Sequence, residues 1–266
     1  TLAGALNAPI PQVGTTTFRP PYTPISFGSI AGEARDEIFQ PVRQTPMHDW
    51  HDQNGAYWEP VGHWRRPYCY QKSGESIEDA VQREVKQTRD SLGLLDASTL
   101  GKLIVKGPDA GKFLDMLYTN MMSTLKPGKC RYGLMCTENG FLTDDGVVAR
   151  IDDDTFLCHT TTGGAERIHA HMEEWLQTEW WDWKVYVANV TEQFAQVAVV
   201  GPNARKVLEK IGVDTDISKE ALPFMGWLDA KVGEFDARIY RISFSGELSY
   251  EIAVPASQGR AFWDAM

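Results

Sequence analysis

The chain has 266 residues, 42% of them hydrophobic, with a formal net charge of -10 and four cysteines. That length and apolar share suffice for one large domain or two small ones, and the negative overall field repels a nucleic-acid backbone. No stretch approaches the roughly 18 uninterrupted apolar residues of a membrane span, so neither nucleic acid nor membrane is an expected partner. Cys69, Cys130, Cys136 and Cys158 form no Cys-x-x-Cys and no disulfide framework, so reduced thiols in a cytoplasmic protein are expected. No basic-then-apolar leader opens the chain, and with Thr rather than Met in first place it reads as a piece of something longer.

Residues 1–44 hold Thr15-Thr16-Thr17, Pro20-Pro21 and scattered glycine. Proline fixes φ and removes a donor, so an extended arm or linker without helix is expected there. Phe18, Tyr22, Ile25 and Phe27 give that arm something to bury. A first helix is predicted from about Ser76 to Leu92, capped by Ser76 with Asp79 three residues on and ended by Gly93. A strand over Lys102 to Lys106 runs into Gly107-Pro108-Asp109-Ala110, which opens a helix burying Phe113, Leu114 and Leu117. Asn139-Gly140 marks a hairpin between strands near Tyr132 to Thr137 and Phe141 to Ile151. A strand from Thr155 to Thr160, a helix from Ala165 to Thr178 and a strand pair near Val185 to Val190 and Gln196 to Val200 follow.

Val105-Lys106-Gly107-Pro108-Asp109-Ala110 and Val199-Val200-Gly201-Pro202-Asn203-Ala204 are alike, 94 residues apart. Duplication of an α+β unit and coincidence both explain this. The helices and strands lack the regular beat of a doubly wound sheet, and without Gly-x-Gly-x-x-Gly no dinucleotide site of the Rossmann kind is expected.

Among groups able to carry chemistry, Asp144-Asp145 follows the hairpin at the start of an apolar strand. Successive strand side chains point to opposite faces, so at most one of the two enters a pocket; two solvated turn carboxylates are the plain alternative. Arg241-Ile242-Ser243-Phe244-Ser245-Gly246-Glu247-Leu248-Ser249-Tyr250-Glu251 sets two carboxylates around a small-residue turn, or is simply two strands with exposed charges. His48-Asp49-Trp50-His51-Asp52 has the look of a metal cluster, but no helix is signalled there and further ligands are wanting, so no metal is expected. The tryptophans 175, 180, 181 and 183 suit either the chain's own core or a partner subunit.

Asp96-Ala97-Ser98-Thr99-Leu100-Gly101-Lys102, Arg131-Tyr132-Gly133-Leu134-Met135, Thr143-Asp144-Asp145-Gly146 and Arg241-Ile242-Ser243-Phe244-Ser245-Gly246-Glu247 together resemble the folate-binding aminomethyltransferases, the glycine-cleavage T-protein family. The arm Gly14 to Pro24, the segment Gly55-Ala56 to Arg66-Pro67 and Trp175-Leu176-Gln177-Thr178-Glu179-Trp180 are similar to the branch formed by heterotetrameric sarcosine oxidase alpha subunits. The resemblance implies an α+β fold of mixed or antiparallel sheets and packed helices, two lobes of a three-lobed ring around a folate hole. The third lobe, a small β-barrel, and the nucleotide-binding part before the arm are expected to lie outside this chain. Residues 45–266 would form the folate-binding aminomethyltransferase-like domain.

The resemblance also implies chemistry. Sarcosine would be oxidised by a flavin on another subunit, and its one-carbon unit would pass to tetrahydrofolate, giving 5,10-methylenetetrahydrofolate. Flavin and NAD are implied only on other parts of the complex. Motif alignment makes Asp145 the catalytic carboxylate and Asp144 its structural neighbour. Glu251 matches the pterin-binding glutamate, with Glu247 second; Tyr132, Phe244, Leu100 and Thr161 match pocket positions. Phe244 replaces the tyrosine common in T-proteins, and Thr99 replaces their histidine, which argues against an ordinary glycine-cleavage enzyme. A stand-alone folate-dependent aminomethyltransferase or demethylase, and a non-catalytic subunit scaffold, remain as rivals.

Overall fold

The structure is a computed structural model that describes residues 2–14, 25–27 and 42–266. Its contacts divide it into two units, Thr1–Pro41 and Val42–Met266. Among the described residues, the first contains the short helices α1 (Leu2–Leu6) and α2 (Ile10–Val13). They correct the expectation of an arm without helix. Pro9 and Pro11 fall at the start of α2, where a missing N–H has no intrahelical partner to lose. The Thr15–Thr17 and Pro20-Pro21 runs, with Phe18 and Tyr22, lie outside the described residues.

The second unit begins with α3 (His48–Gln53), a helix the sequence did not signal, and a two-stranded antiparallel sheet of β1 (Ala56–Val61) and β2 (Trp64–Tyr70). Helix α4 (Ile77–Asp90) follows, its first turn capped where Ser76 Oγ accepts the Asp79 N–H at 3.1 Å. Gly93 does not cap it; the C-cap is Ser91, and Gly93 opens β3 (Gly93–Asp96). The chain then runs through β4 (Gly101–Lys106), α5 (Ala110–Leu117), β5 (Cys130–Cys136), β6 (Leu142–Arg150), β7 (Thr155–Thr160), α6 (Ala165–Thr178) and β8 (Tyr186–Asn189). A second passage runs through β9 (Phe194–Val200), α7 (Ala204–Ile211), β10 (Trp227–Val232), β11 (Phe235–Tyr240), β12 (Ser249–Pro255) and α8 (Gly259–Ala265). The hairpin at Asn139-Gly140 is as expected.

These strands form two five-stranded sheets, ordered β5-β6-β7-β4-β8 and β10-β11-β12-β9-β3, with antiparallel neighbours throughout. The two orders are the same plan. In each, a strand ends in Gly-Pro, feeds a helix, and is followed by a three-strand meander whose last strand pairs with the first. The repeat seen in the sequence is therefore a repeat of architecture. The fifth strands are exchanged: β3 precedes β4 in the chain but pairs with β9, and β8 precedes β9 but pairs with β4. Thus β8 and β9, expected to pair with each other, belong to different sheets. The 3₁₀ turn Thr191–Gln193 carries the chain across.

The two crossings are held by matching hydrogen bonds. Ala97 N–H donates to Gln196 O at 2.8 Å, and Val190 N–H donates to Lys102 O at 2.9 Å. Gln196 N–H donates to Ser98 Oγ at 2.9 Å, and Lys102 N–H to Thr191 Oγ1 at 3.0 Å. Asp96 and Asn189 each accept the N–H two residues on, at 3.0 and 3.1 Å.

Strand alternation then builds three cores. Phe156 and Cys158 of β7, Leu103 and Val105 of β4 and Val148 of β6 pack with Phe113, Leu114, Ile168 and Met172 of α5 and α6. Val197 and Val199 of β9 and Tyr250, Ile252 and Val254 of β12 pack with Leu208 of α7 and Phe262 and Trp263 of α8. Residues of the opposite parity meet between the sheets: Cys130, Ala149 and Leu157 from one, Tyr240 and Ala253 from the other. Each sheet is thus covered by helices on one face and by the other sheet on the second. Trp175, Trp180 and Trp183 stack at 5.3 and 4.9 Å against the first of these cores, capped by Lys112 Nζ at 3.7 Å, while Trp181 stays 75% exposed.

Gly146 marks how tightly β6 and β7 lie: a Cβ there would stand 1.9 Å from the backbone oxygen of His159. Backbone cannot yield as a side-chain tip can, so Gly146→Ala should destabilise the domain by about 3 kcal/mol. A urea unfolding midpoint unchanged by this substitution would show that the strands part without cost.

Candidate functional site

The aspartate pair is split by the pleat. Val148 lies on the helix-covered face and Ala149 on the face toward the other sheet. Counting back by twos, Asp144 falls on the first face and Asp145 on the second. Asp144 is buried; its Oδ1 accepts the N–H groups of Asp145 at 2.8 Å and Thr161 at 3.1 Å, tying β6 to the turn before α6. Its Oδ2 lies against Gly164, where a Cβ would come within 1.8 Å. Asp145 is half-buried at the rim of the inter-sheet face, where Tyr132 Oη donates to its Oδ2 at 2.7 Å. That bond raises the Tyr132 pKa, since ionised phenol would face a carboxylate.

Deeper in the same space is a polar cluster drawn from both sheets. Lys102 (β4), Gln196 (β9) and Glu251 (β12) have the parity of Ile104, Ala198 and Ala253, and all three are buried. Gln196 Nε2 donates to Glu251 Oε2. Burial pushes the Glu251 pKa up, against the pull of Gln196 and of the Lys102 charge. Lys102 Nζ donates to Leu100 O at 2.8 Å and Ser98 O at 3.2 Å. Burial brings its pKa down to about 8, opposed by the charges of Glu251 and Asp96.

His159 lies across from Lys102 in the β4–β7 register and edge-on to Tyr240, the register partner of Glu251. Its Nδ1 is 3.0 Å from Val147 O. A carbonyl can only accept, so Nδ1 carries the proton and Nε2 is a bare acceptor. Neither His159 Nε2 nor Gln196 Oε1 has a partner among the described residues. With Glu251 they make an acceptor-rich wall, suited to a ligand edge carrying several N–H donors.

The other expected site residues are placed less uniformly. Leu100 is half-buried on the crossing between β3 and β4, its carbonyl held by Lys102. Thr161 is exposed on the turn after β7, with its N–H on Asp144. Phe244 is fully exposed on the turn between β11 and β12, so the structure does not bring it against the cluster. Glu247, in the same turn, accepts from Arg89 of α4 at 2.8 Å. That ion pair anchors the turn to α4.

Lys102, Gln196 and His159 were missed as site residues. Lys102 and Gln196 interrupt strands that otherwise read as apolar, and that was the available signal. His51 is also buried, with Nε2 3.0 Å from Asp96 and Nδ1 2.6 Å from Tyr70 Oη, which docks α3 onto the sheet. No group of three or more candidate ligands for a metal occurs among the described residues, and no helix among them is long and apolar enough to cross a membrane. A separate cleft of about 560 Å³, lined by Arg43, His48, Trp64, Ser98, Thr191 and Glu192 among others, includes none of the aligned site residues.

A model of the GCVT N-terminal domain matches residues 47–266. The chain belongs to that family. Sarcosine oxidase subunit alpha of Corynebacterium sp. (strain U-96) is 52% identical over 254 residues, which is 95% of this chain and 26% of that protein. The same subunit of Rhizobium meliloti (strain 1021) is 45% identical over 258 residues, 96% and 26% of the two. Among solved structures, the glycine cleavage system aminomethyltransferase T from Bartonella henselae matches with a TM-score of 0.71 at 26% identity, covering 84% of this chain and 56% of that one. The α+β expectation for a GCVT domain, antiparallel sheets with packed helices, is met. The chain spans about a quarter of the length of the sarcosine oxidase alpha subunits it matches.

The site's histidine makes the domain sensitive to acid. Burial, then the Lys102 charge, lowers the His159 pKa from 6.5 to about 4. Between those values the unfolded state binds the extra proton, so stability falls as pH drops through the window, by about 2 kcal/mol from pH 7 to 5. Glu251, with a raised pKa, acts in the opposite sense. Urea unfolding of a His159→Leu variant should lack that acid-dependent loss; the same pH dependence in variant and parent would assign it elsewhere.

Proposed function

We propose that the polar cluster between the two sheets binds tetrahydrofolate, and that this chain is the one-carbon-accepting part of a sarcosine oxidase alpha subunit. The observation that carries the reading is Glu251, a buried carboxylate held by Gln196 in an acceptor-rich wall. A pterin presents an exocyclic amino group and a ring N–H side by side, and one carboxylate accepts both. Membership of the GCVT family and the high identity to sarcosine oxidase alpha subunits support it further.

Tetrahydrofolate, when bound, supplies two nitrogens that take the methylene carbon of the oxidised amine as 5,10-methylenetetrahydrofolate and release the amine. Oxidation of sarcosine itself falls to a flavin on another part of the complex, and any NAD is likewise held elsewhere. Glu251 orients the heterocycle. Asp145, at the rim, stabilises positive charge at the reacting nitrogens and moves the proton between them and the departing amine. Tyr132 holds the Asp145 carboxylate in place through its hydroxyl. Asp144 keeps β6 and the α6 turn together. Partners in this reading are the other oxidase subunits, including the flavin-bearing one.

Anaerobic calorimetric titration with tetrahydrofolate, on the protein as assembled in its source, tests the assignment. Glu251→Gln removes charge-assisted acceptance and should weaken binding about 30-fold. Asp145→Asn should leave the dissociation constant within about threefold while lowering transfer to folate about 100-fold or more. Parental affinity in Glu251→Gln would sink the folate assignment for this cluster.

A further inference from the structure

Among Ala195, Val197, Ala198 and Val199 of β9 stands one amide, Gln196, 0% exposed. A buried amide costs free energy unless its polar atoms are paired. The backbone of Gln196 is committed to the crossing: its N–H donates to Ser98 Oγ at 2.9 Å, and its C=O accepts from Ala97 N–H at 2.8 Å. Those bonds need no particular side chain, so they do not account for the glutamine.

The side chain reaches along the inter-sheet face instead. In the β9–β12 register Gln196 stands opposite Ala253 and Glu251 opposite Ala198, so the two polar side chains are diagonal neighbours and each faces an alanine. Gln196 Nε2 donates to Glu251 Oε2. A carboxylate oxygen only accepts, so the amide presents its nitrogen there. That fixes the other end: Oε1 is a bare acceptor, buried and without a partner among the described residues. His159 Nε2 is bare as well, but of the two side chains only Gln196 is bonded to Glu251.

The edge of a pterin offers three hydrogens, one on the ring nitrogen and two on the exocyclic amino group. Glu251 can take the ring N–H and one amino hydrogen. The second amino hydrogen is then a donor in a buried place, where leaving it unmet is costly. The amide oxygen beside the carboxylate is an acceptor in want of a donor. We infer that Gln196 is a specificity-determining residue: its amide nitrogen steadies the Glu251 carboxylate, and its amide oxygen accepts the second hydrogen of the pterin amino group. This rests on the proposed role of Glu251. It adds a demand that Glu251 alone does not make, because the carboxylate is satisfied by an amino group carrying one hydrogen, whereas the pair requires two.

The test compares tetrahydrofolate with its analogue methylated once on the 2-amino group, by anaerobic calorimetric titration of the protein as assembled in its source. The analogue keeps the hydrogens Glu251 needs and removes the one Gln196 Oε1 would accept. The parent should bind the analogue about tenfold more weakly than tetrahydrofolate. Gln196→Met is unbranched and of similar length, so it keeps the bulk and removes both amide groups. It should bind tetrahydrofolate about tenfold more weakly, and its preference over the analogue should shrink to within about twofold. Gln196→Glu shares one proton with Glu251, as paired carboxylates do, and retains a bare oxygen, so the preference should persist there. A merely structural glutamine, or a steric clash with the methyl group, would leave the ratio in Gln196→Met as it is in the parent. That result, or equal affinity of the parent for the two ligands, would overturn the inference, while the loss of binding in Glu251→Gln tests the folate reading separately. No binding of tetrahydrofolate by the parent would discard the folate reading and this inference with it.

Discussion

The face shared by the two sheets is the constraint on which the site depends. Each strand has to divide its side chains between helices on one side and the other sheet on the second, with a strict period of two. A slip of one residue in β12 would send Glu251 among Leu208 and Phe262 and bring Tyr250 and Ile252 onto the inter-sheet face. The apolar residues of alternate parity make that slip expensive, since each buried side chain of this size is worth roughly 1.5–3 kcal/mol. The polar cluster is therefore positioned by its apolar neighbours. Leu103 and Val105 set where Lys102 points, and Phe156 and Cys158 set where His159 points.

The exchange of β3 and β8 serves the same end. If each repeat kept its own fifth strand, the two sheets would be independent layers free to slide. Because each crossing passes from one sheet into the other, Asp96 to Leu100 and Asn189 to Gln193 stitch the layers at one level. The stitches lie at Lys102 and Gln196. Gln196, one of the stitched residues, holds buried Glu251, whereas Asp145 and Tyr132 are half-buried and exposed. In the proposed reading, Glu251 would recognise the ligand from the interior and Asp145 would handle protons at its edge, an arrangement suited to holding a ligand while its far end reacts.

Much of this was legible in the chain itself. The capped helix at Ser76, the Asn139-Gly140 hairpin and both Gly-Pro helix starts are local signals, and local chemistry decided them. The opposition of Asp144 and Asp145 followed from the pleat alone. What the chain could not disclose was pairing. The strand run from Val185 to Val200 looks like a hairpin by proximity, but burial sends its halves to different sheets. The helix at His48 carries no cap; it forms because His51 and Met47 are buried against the second sheet's core. Phe244 and Glu247 matched a motif by order in the chain, yet the turn that holds them is turned outward and pinned by Arg89. Lys102 and Gln196 stayed hidden because nothing nearby in sequence says they meet.

The asymmetry between those two residues is the most informative departure from the repeat. Duplicated architecture provides two equivalent positions, and a buried polar pair of neutral side chains would serve both crossings at lower desolvation cost. Replacing one by lysine introduces a charge whose removal from water costs several kcal/mol unless it is compensated. In this fold the ammonium is met by the carbonyls of Leu100 and Ser98, on its own crossing. The glutamine of the second repeat instead sends its side-chain amide to Glu251 on the neighbouring strand. Equivalent crossings are thus closed by side chains that reach in different directions, and only the second repeat joins its crossing to the buried carboxylate.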